Sequence, residues 1–221
     1  MRRWCGCQTD GTLAMQPPGR RPAQVDVVRA CFLLVRSAAR RLSGKMGGVM
    51  RRVVTGQGAD GHSIVLSDGP APQAMVLDRL GGARFETLWQ LLTPPESPTA
   101  GGDPTGSFFQ IRPGLVSFFR TTFPPDSRID RSDMRAVYGE MQQKVPDLVP
   151  LLDPARGPGM HATDSLDLVV VVAGRVWLVL EDGEIELGPG DAVVQQGTWH
   201  AWRNPWEEPC VLAGVVIGAN R

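Results

Sequence analysis

Two short stretches carry the residues able to do chemistry. The first, GMHATDSLDLVVVVAG, spans residues 159–174 and places His161, Thr163 and Asp167 at even spacing. On a β-strand, even offsets leave from one face. An imidazole, a hydroxyl and a carboxylate then share a face just ahead of four valines, Val169 to Val172. Such a polar, metal-friendly trio is more than an ordinary core strand needs. The second stretch, GPGDAVVQQGTWHAWRN, spans residues 188–204. By the same alternation His200, Trp202 and Asn204 share a face.

The elements that must position these residues are short. Arg51 onward reads as brief strands broken by Gly, Asp-Gly and Pro turns, the pattern of an all-β sandwich or barrel. RRVVTG and HSIVLSDG read as strands, and ARFETLWQLL as a further one. LVSFFRTTFPPD ends at a double proline, with Phe119 and Phe123 on one face and Arg120 and Thr122 on the other. One helix is predicted in SDMRAVYGEMQQKVPDLVPLLDP, capped by Ser132 or Asp133 and stopped at Pro146. A hairpin of Val176–Leu180 and Glu184–Leu187 is expected between the two chemical stretches.

Bulk composition narrows the classes of function. The 221 residues are 42% hydrophobic and 21% charged, with zero net charge, so the overall balance favours neither nucleic acid nor a membrane surface. No run approaches the roughly 20 apolar residues of a transmembrane helix, and a cytoplasmic protein is expected. The charge is uneven: residues 1–51 hold nine Arg and one Lys against Asp10 and Asp26. Three of the four cysteines, Cys5, Cys7 and Cys31, lie there, which leaves Cys210 alone in the body and argues against a disulfide scaffold. Residues 1–49 are expected to be a disordered or dispensable basic extension with one helix near residues 25–42. A mitochondrial leader is a competing reading, and Met46 or Met50 a competing start. Residues 50–221 are expected to form a single domain.

Written as spacing, the two stretches resemble the paired signature motifs of the cupin superfamily, G-x5-H-x-H-x3,4-E-x6-G and G-x5-P-x-G-x2-H-x3-N. The match covers residues 159–204. The wording is closer still to small single-domain cupins with an H-x-T-x-[ST]-x-D first motif and a Q-x-G-T-x-H-x-W-x-N second one. Here these are His161, Thr163, Ser165, Asp167, Gln195, Gly197, Thr198, His200, Trp202 and Asn204. The resemblance implies an all-β fold, a cupin-type antiparallel β-barrel or jelly roll, with one short helical insertion. It also implies one divalent metal ion (Fe, Mn, Ni or Zn) in the lumen.

This chain departs from the general pattern: Thr163 replaces a histidine, Asp167 a glutamate and Gln195 a proline. The surviving metal candidates are His161, Asp167 and His200, a two-imidazole, one-carboxylate set. Thr163, Thr198 and Trp202 are expected to line the substrate space, with Trp202 over the metal and the valine run as the packed wall. No catalytic residue is assigned. His62 and Arg120 are expected at the surface, and Asn204 is expected to fix the strand after His200. The resemblance implies a metal-dependent cupin acting on a small organic molecule, by dioxygenase, decarboxylase or isomerase chemistry. The alternative is a non-catalytic barrel that binds or senses a small ligand, and a third reading is an inert barrel. A homodimer joined through edge strands is also implied.

Overall fold

Among the described residues, the alternation of apolar and polar residues in the body produces eleven strands in three antiparallel sheets. The structure, a computed structural model, describes residues 48–93, 97 and 101–219. The expectations for the basic extension lie outside the described residues. All elements below belong to the unit Gly47–Arg221.

Strands β3 (Gln73–Leu77), β4 (Ala83–Leu91), β5 (Val116–Phe123), β11 (Cys210–Gly218), β6 (Ser165–Ala173) and β9 (Ala192–Gln195) form a six-stranded sheet in that order. Strands β10 (Ala201–Arg203), β7 (Val176–Leu180) and β8 (Gly183–Leu187) form a second sheet. The expected β7–β8 hairpin is present, with Val176 opposite Leu187. Strands β1 (Arg51–Gln57) and β2 (Ser63–Pro70) make a separate two-stranded hairpin.

Two apolar clusters hold the fold together. Val169 and Val171 of β6 and Leu212 of β11 meet Val176, Leu178 and Leu187 of the smaller sheet. The second cluster joins Leu77 and Ala83 to the helix α1 (Met134–Lys144) and to Val145 and Leu148 after it. Helix α1 thus covers the half of the large sheet that the small sheet does not reach. Asp133 caps it by accepting from the Ala136 N–H, and the helix stops two residues before Pro146. Glu140 accepts from the Asp78 and Arg79 N–H groups, and Lys144 bonds the Val76 carbonyl, so the helix is tied to the end of β3.

The valine run departs from its expected role. Only Val169 and Val171 are buried; Val170 and Val172 stand 43% and 44% exposed on the outer face. A four-valine run fits a strand buried on both faces, but the structure covers one face of this one. Gly174, at φ +71°, turns β6 into β7, and a Cβ there would run into the backbone of Pro209 and Cys210.

Arg120 departs as well. It is 6% exposed, and its Nη1 lies 2.7 Å from Glu86 Oε2 on the neighbouring strand β4. The same nitrogen donates to the Gly48 carbonyl, and Glu86 Oε1 accepts from the Met50 N–H. The chain leading into β1 therefore crosses the sheet and covers this pair.

Candidate functional site in the barrel lumen

His161 and His200 lie 39 positions apart in sequence and are joined by two backbone bonds. The His161 N–H donates to the His200 carbonyl at 2.9 Å, and the return bond is 3.0 Å. Directly opposed residues of an antiparallel pair project to the same side. The two rings accordingly lie 4.3 Å apart, centroid to centroid, tilted by 45°.

Their protonation pattern follows from the backbone. Nδ1 of His161 is 2.9 Å from the Gly159 carbonyl, and Nδ1 of His200 is 2.9 Å from the Thr198 carbonyl. A carbonyl only accepts, so each Nδ1 carries the proton and each Nε2 keeps a lone pair. This is how ligating histidines are held when the other ring nitrogen is fixed behind them. Burial, reinforced by His200, pulls His161 down to about 4. Burial also lowers His200.

Asp167 faces the same lumen from β6. Burial raises its carboxyl above the ordinary value, opposed by a hydrogen bond from Ser165 and by His161. Its Oδ1 is buried without a hydrogen-bond partner, an atom that needs a ligand, an ion or a proton. Thr163 and Ser165 stand beside it on the same face, hydroxyl to hydroxyl at 2.7 Å, and both are buried. Thr163 is among the residues that line the cavity. Among the described residues, no three His, Cys, Asp or Glu side chains gather as a metal-holding group. The structure brings the two histidines together; Asp167 shares their cavity without closing the set.

The cavity is large for so small a barrel, about 530 Å³, and extends from the histidine pair to helix α1. Phe85, Phe119, Phe123, Tyr138, Met141 and Trp202 give it an apolar, aromatic lining. Trp202 meets His200 edge-on at 6.0 Å and stacks on Phe123 at 6.2 Å. Thr198 works from behind the site: its carbonyl holds His200 Nδ1, and its hydroxyl bonds the Gln195 amide. Asn204, 1% exposed, fixes the chain after β10 by donating to the Phe123 and Glu208 carbonyls. His62 stands exposed beside Asp60.

Sequence reasoning placed Tyr138 on the helical piece but had no means of putting it in the cavity. It also gave Ser165 no role, although the motif itself marks that position.

The buried histidines make acid stability a readout of the site. A histidine with a depressed folded pKa is stabilising above its unfolded value and loses that contribution as pH falls. Between about pH 6.5 and 4, His161 alone is expected to cost about 3 kcal/mol of stability. His200 adds to this loss. Asp167, with a raised pKa, works in the opposite sense, losing stability as pH rises through its folded value. Urea unfolding at pH 7 and 4.5 measures the balance. A midpoint unchanged between the two in the Asp167→Asn variant, which lacks the opposing carboxyl, would place both rings in solvent.

The family model of the cupin domain (Cupin_2) matches residues 151–218. Phomopsin biosynthesis cluster protein C' of Diaporthe leptostromiformis is 31% identical over 157 residues, covering 69% of this chain and 69% of that protein. Oryzines biosynthesis cluster protein J of Aspergillus oryzae is 45% identical over 53 residues, which is 24% of this chain and 30% of that protein. Among solved structures, a Cupin 2 conserved barrel domain protein from Salinispora arenicola shares 17% identity. It covers 62% of this chain and 76% of that one at a TM-score of 0.33. The domain match over both histidines, together with a relative alike over two thirds of each chain, shows that this protein belongs to the cupin superfamily.

Proposed function

We propose that the barrel binds a small, largely apolar organic molecule and acts on it with one divalent metal ion held by His161 and His200. Asp167 is the carboxylate that would complete the set. The observation that carries this reading is the pair of Nε2 lone pairs, fixed side by side by two carbonyls at the end of an aromatic cavity. The donors suit Fe, Mn, Ni or Zn. When bound, such an ion supplies Lewis acidity and a template for the substrate.

The chain's own residues supply the rest. Phe119, Phe123 and Trp202 hold the apolar body of the substrate and exclude water. Tyr138, half-buried, belongs to the cavity lining. Thr163 and Ser165 hold the polar wall in one arrangement beside Asp167. Two relatives are named for biosynthesis clusters, which supports a substrate of the secondary-metabolite type. No helix among the described residues is long and apolar enough to cross a membrane, and we place the reaction in the cytoplasm.

The second reading is a barrel that binds without turnover. It is favoured by the lack of a closed three-ligand group among the described residues and by Thr163 at the position of the second histidine.

Metal content by elemental mass spectrometry, on protein reconstituted with each of the four ions, decides between them. About one ion per chain is the expected result. A chain that takes up none, yet binds aromatic ligands by thermal shift, would leave the binding reading standing and remove the enzyme.

A further inference from the structure

Gln195 is the last residue of β9, is 3% exposed and stands directly opposite Asp167 of β6. Directly opposed residues project to one side, and both side chains line the cavity. The Gln195 amide is spent on a single residue. Its Nε2 donates to the Thr198 carbonyl at 3.2 Å and also to the Thr198 hydroxyl. A carbonyl oxygen only accepts, so the nitrogen of the amide is the atom that faces it. The amide has two N–H donors, and these two bonds use both.

The Thr198 carbonyl is the same oxygen that holds Nδ1 of His200 at 2.9 Å. It has two lone pairs, one for each donor. The chain between β9 and this carbonyl is short and passes through Gly197 at φ +65°. Glycine leaves a turn free to swing, and a swung Thr198 peptide would take the acceptor away from Nδ1. The two bonds from Gln195 oppose that swing. They also refer the His200 ring to the large sheet, at the position facing Asp167.

His161 is fastened differently. Its Nδ1 meets the Gly159 carbonyl, and among the described residues no second side chain bonds that oxygen. A side-chain clamp behind the ring therefore belongs to His200 and not to His161.

We propose that Gln195 is a positioning residue: through the Thr198 carbonyl it selects the His200 tautomer and aims Nε2 into the lumen. Its consequence for an ion rests on the metal reading above; its effect on the ring does not. The general cupin motif has a proline at this position. A proline stiffens its own φ and has no N–H to give. Gln195 stiffens a carbonyl three residues on, the one that holds the ring.

Gln195→Met keeps the length of the side chain and removes both donors. In the metal-free full chain, nitrogen-15 NMR of the imidazoles is expected to show His200 leaving the single Nδ1–H form for a mixture of tautomers, with His161 unchanged. Gln195→Glu, of the same shape but without donors when ionised, is expected to do the same and serves if the methionine variant does not fold. Thr198→Val removes the hydroxyl but keeps the carbonyl, and the wild-type tautomer is expected to persist. Titration with Zn²⁺ is expected to show binding to Gln195→Met weakened about 10–100-fold, the effect of a group that orients a ligand. Wild-type His200 signals in both Gln195 variants would overturn the proposal. Equal changes in the two rings would overturn it as well, because they mark a general loosening. So would a loss of Zn²⁺ as complete as in His200→Ala, which would make Gln195 a ligand. The NMR arm needs no ion, so a wild type that takes up none would end the metal reading and leave the test of Gln195 intact.

Discussion

Replacing His200 by alanine is expected to lower the barrel's affinity for a divalent ion by about 1000-fold or more. Residues that only orient a ligand are worth roughly 10–100-fold, whereas His200 is proposed as a ligand itself. His200 is 3% exposed, and its Nδ1 is committed to the Thr198 carbonyl, which leaves Nε2 as the ring atom able to meet an ion. His161→Ala is expected to match it, because the two rings are neighbours 4.3 Å apart. Asp167→Asn is the informative companion. It keeps the shape and the hydrogen bond from Ser165 but removes the charge. A loss as large as that from His200→Ala would make Asp167 a third ligand; no loss would leave the histidine pair to hold the ion alone. Isothermal titration with each ion measures all three. An unaltered affinity in His200→Ala would end the metal reading.

Glu86→Ala is expected to destabilise the fold by about 3–5 kcal/mol, the range found when one partner of a buried ion pair is removed. Three observations set the size. Both side chains are enclosed, at 7% and 0% exposure, and their contact is 2.7 Å. Glu86 also accepts the Met50 N–H, so the substitution strips two donors at once. Charge and shape separate cleanly. Glu86→Gln keeps an acceptor for Met50 but leaves the guanidinium buried without the carboxylate, and is expected to cost nearly as much. Exchanging both partners, Glu86→Leu with Arg120→Met, removes the buried charges together and is expected to cost far less. Urea unfolding of the four proteins measures this. A double variant as unstable as Glu86→Ala would show that packing, not charge, sets the cost.

The legibility of the molecule in its sequence divides along sequence distance. The β6–β9 region was readable because every cue there is local: even spacing puts His161, Thr163 and Asp167 on one face, and Asp-Gly at 182–183 turns the β7–β8 hairpin. The helix after Ser132 was readable from its cap and from Pro146 for the same reason. Arg120 was misplaced because its burial depends on Glu86, 34 residues earlier, and on Gly48 and Met50 crossing above it. Alternation showed that Arg120 faces away from Phe119; it carried no information about what lies on that side. The valine run failed in the opposite sense. Val170 and Val172 look like core residues by composition, and only the placement of a second layer on one face reveals that they are bare. Tyr138 needed the packing of α1 over the large sheet before it had any relation to the lumen.

The carbonyls of Gly159 and Thr198 have an effect that reaches past metals. By holding both protons at Nδ1, they leave the lumen with two hydrogen-bond acceptors side by side and no donor from either ring. With His161 pulled down to about 4, the ring stays neutral across the physiological range. Asp167 adds a further acceptor oxygen when ionised. From the two rings a guest therefore meets hydrogen-bond acceptors only, while the Thr163 and Ser165 hydroxyls on the same wall are able both to donate and to accept.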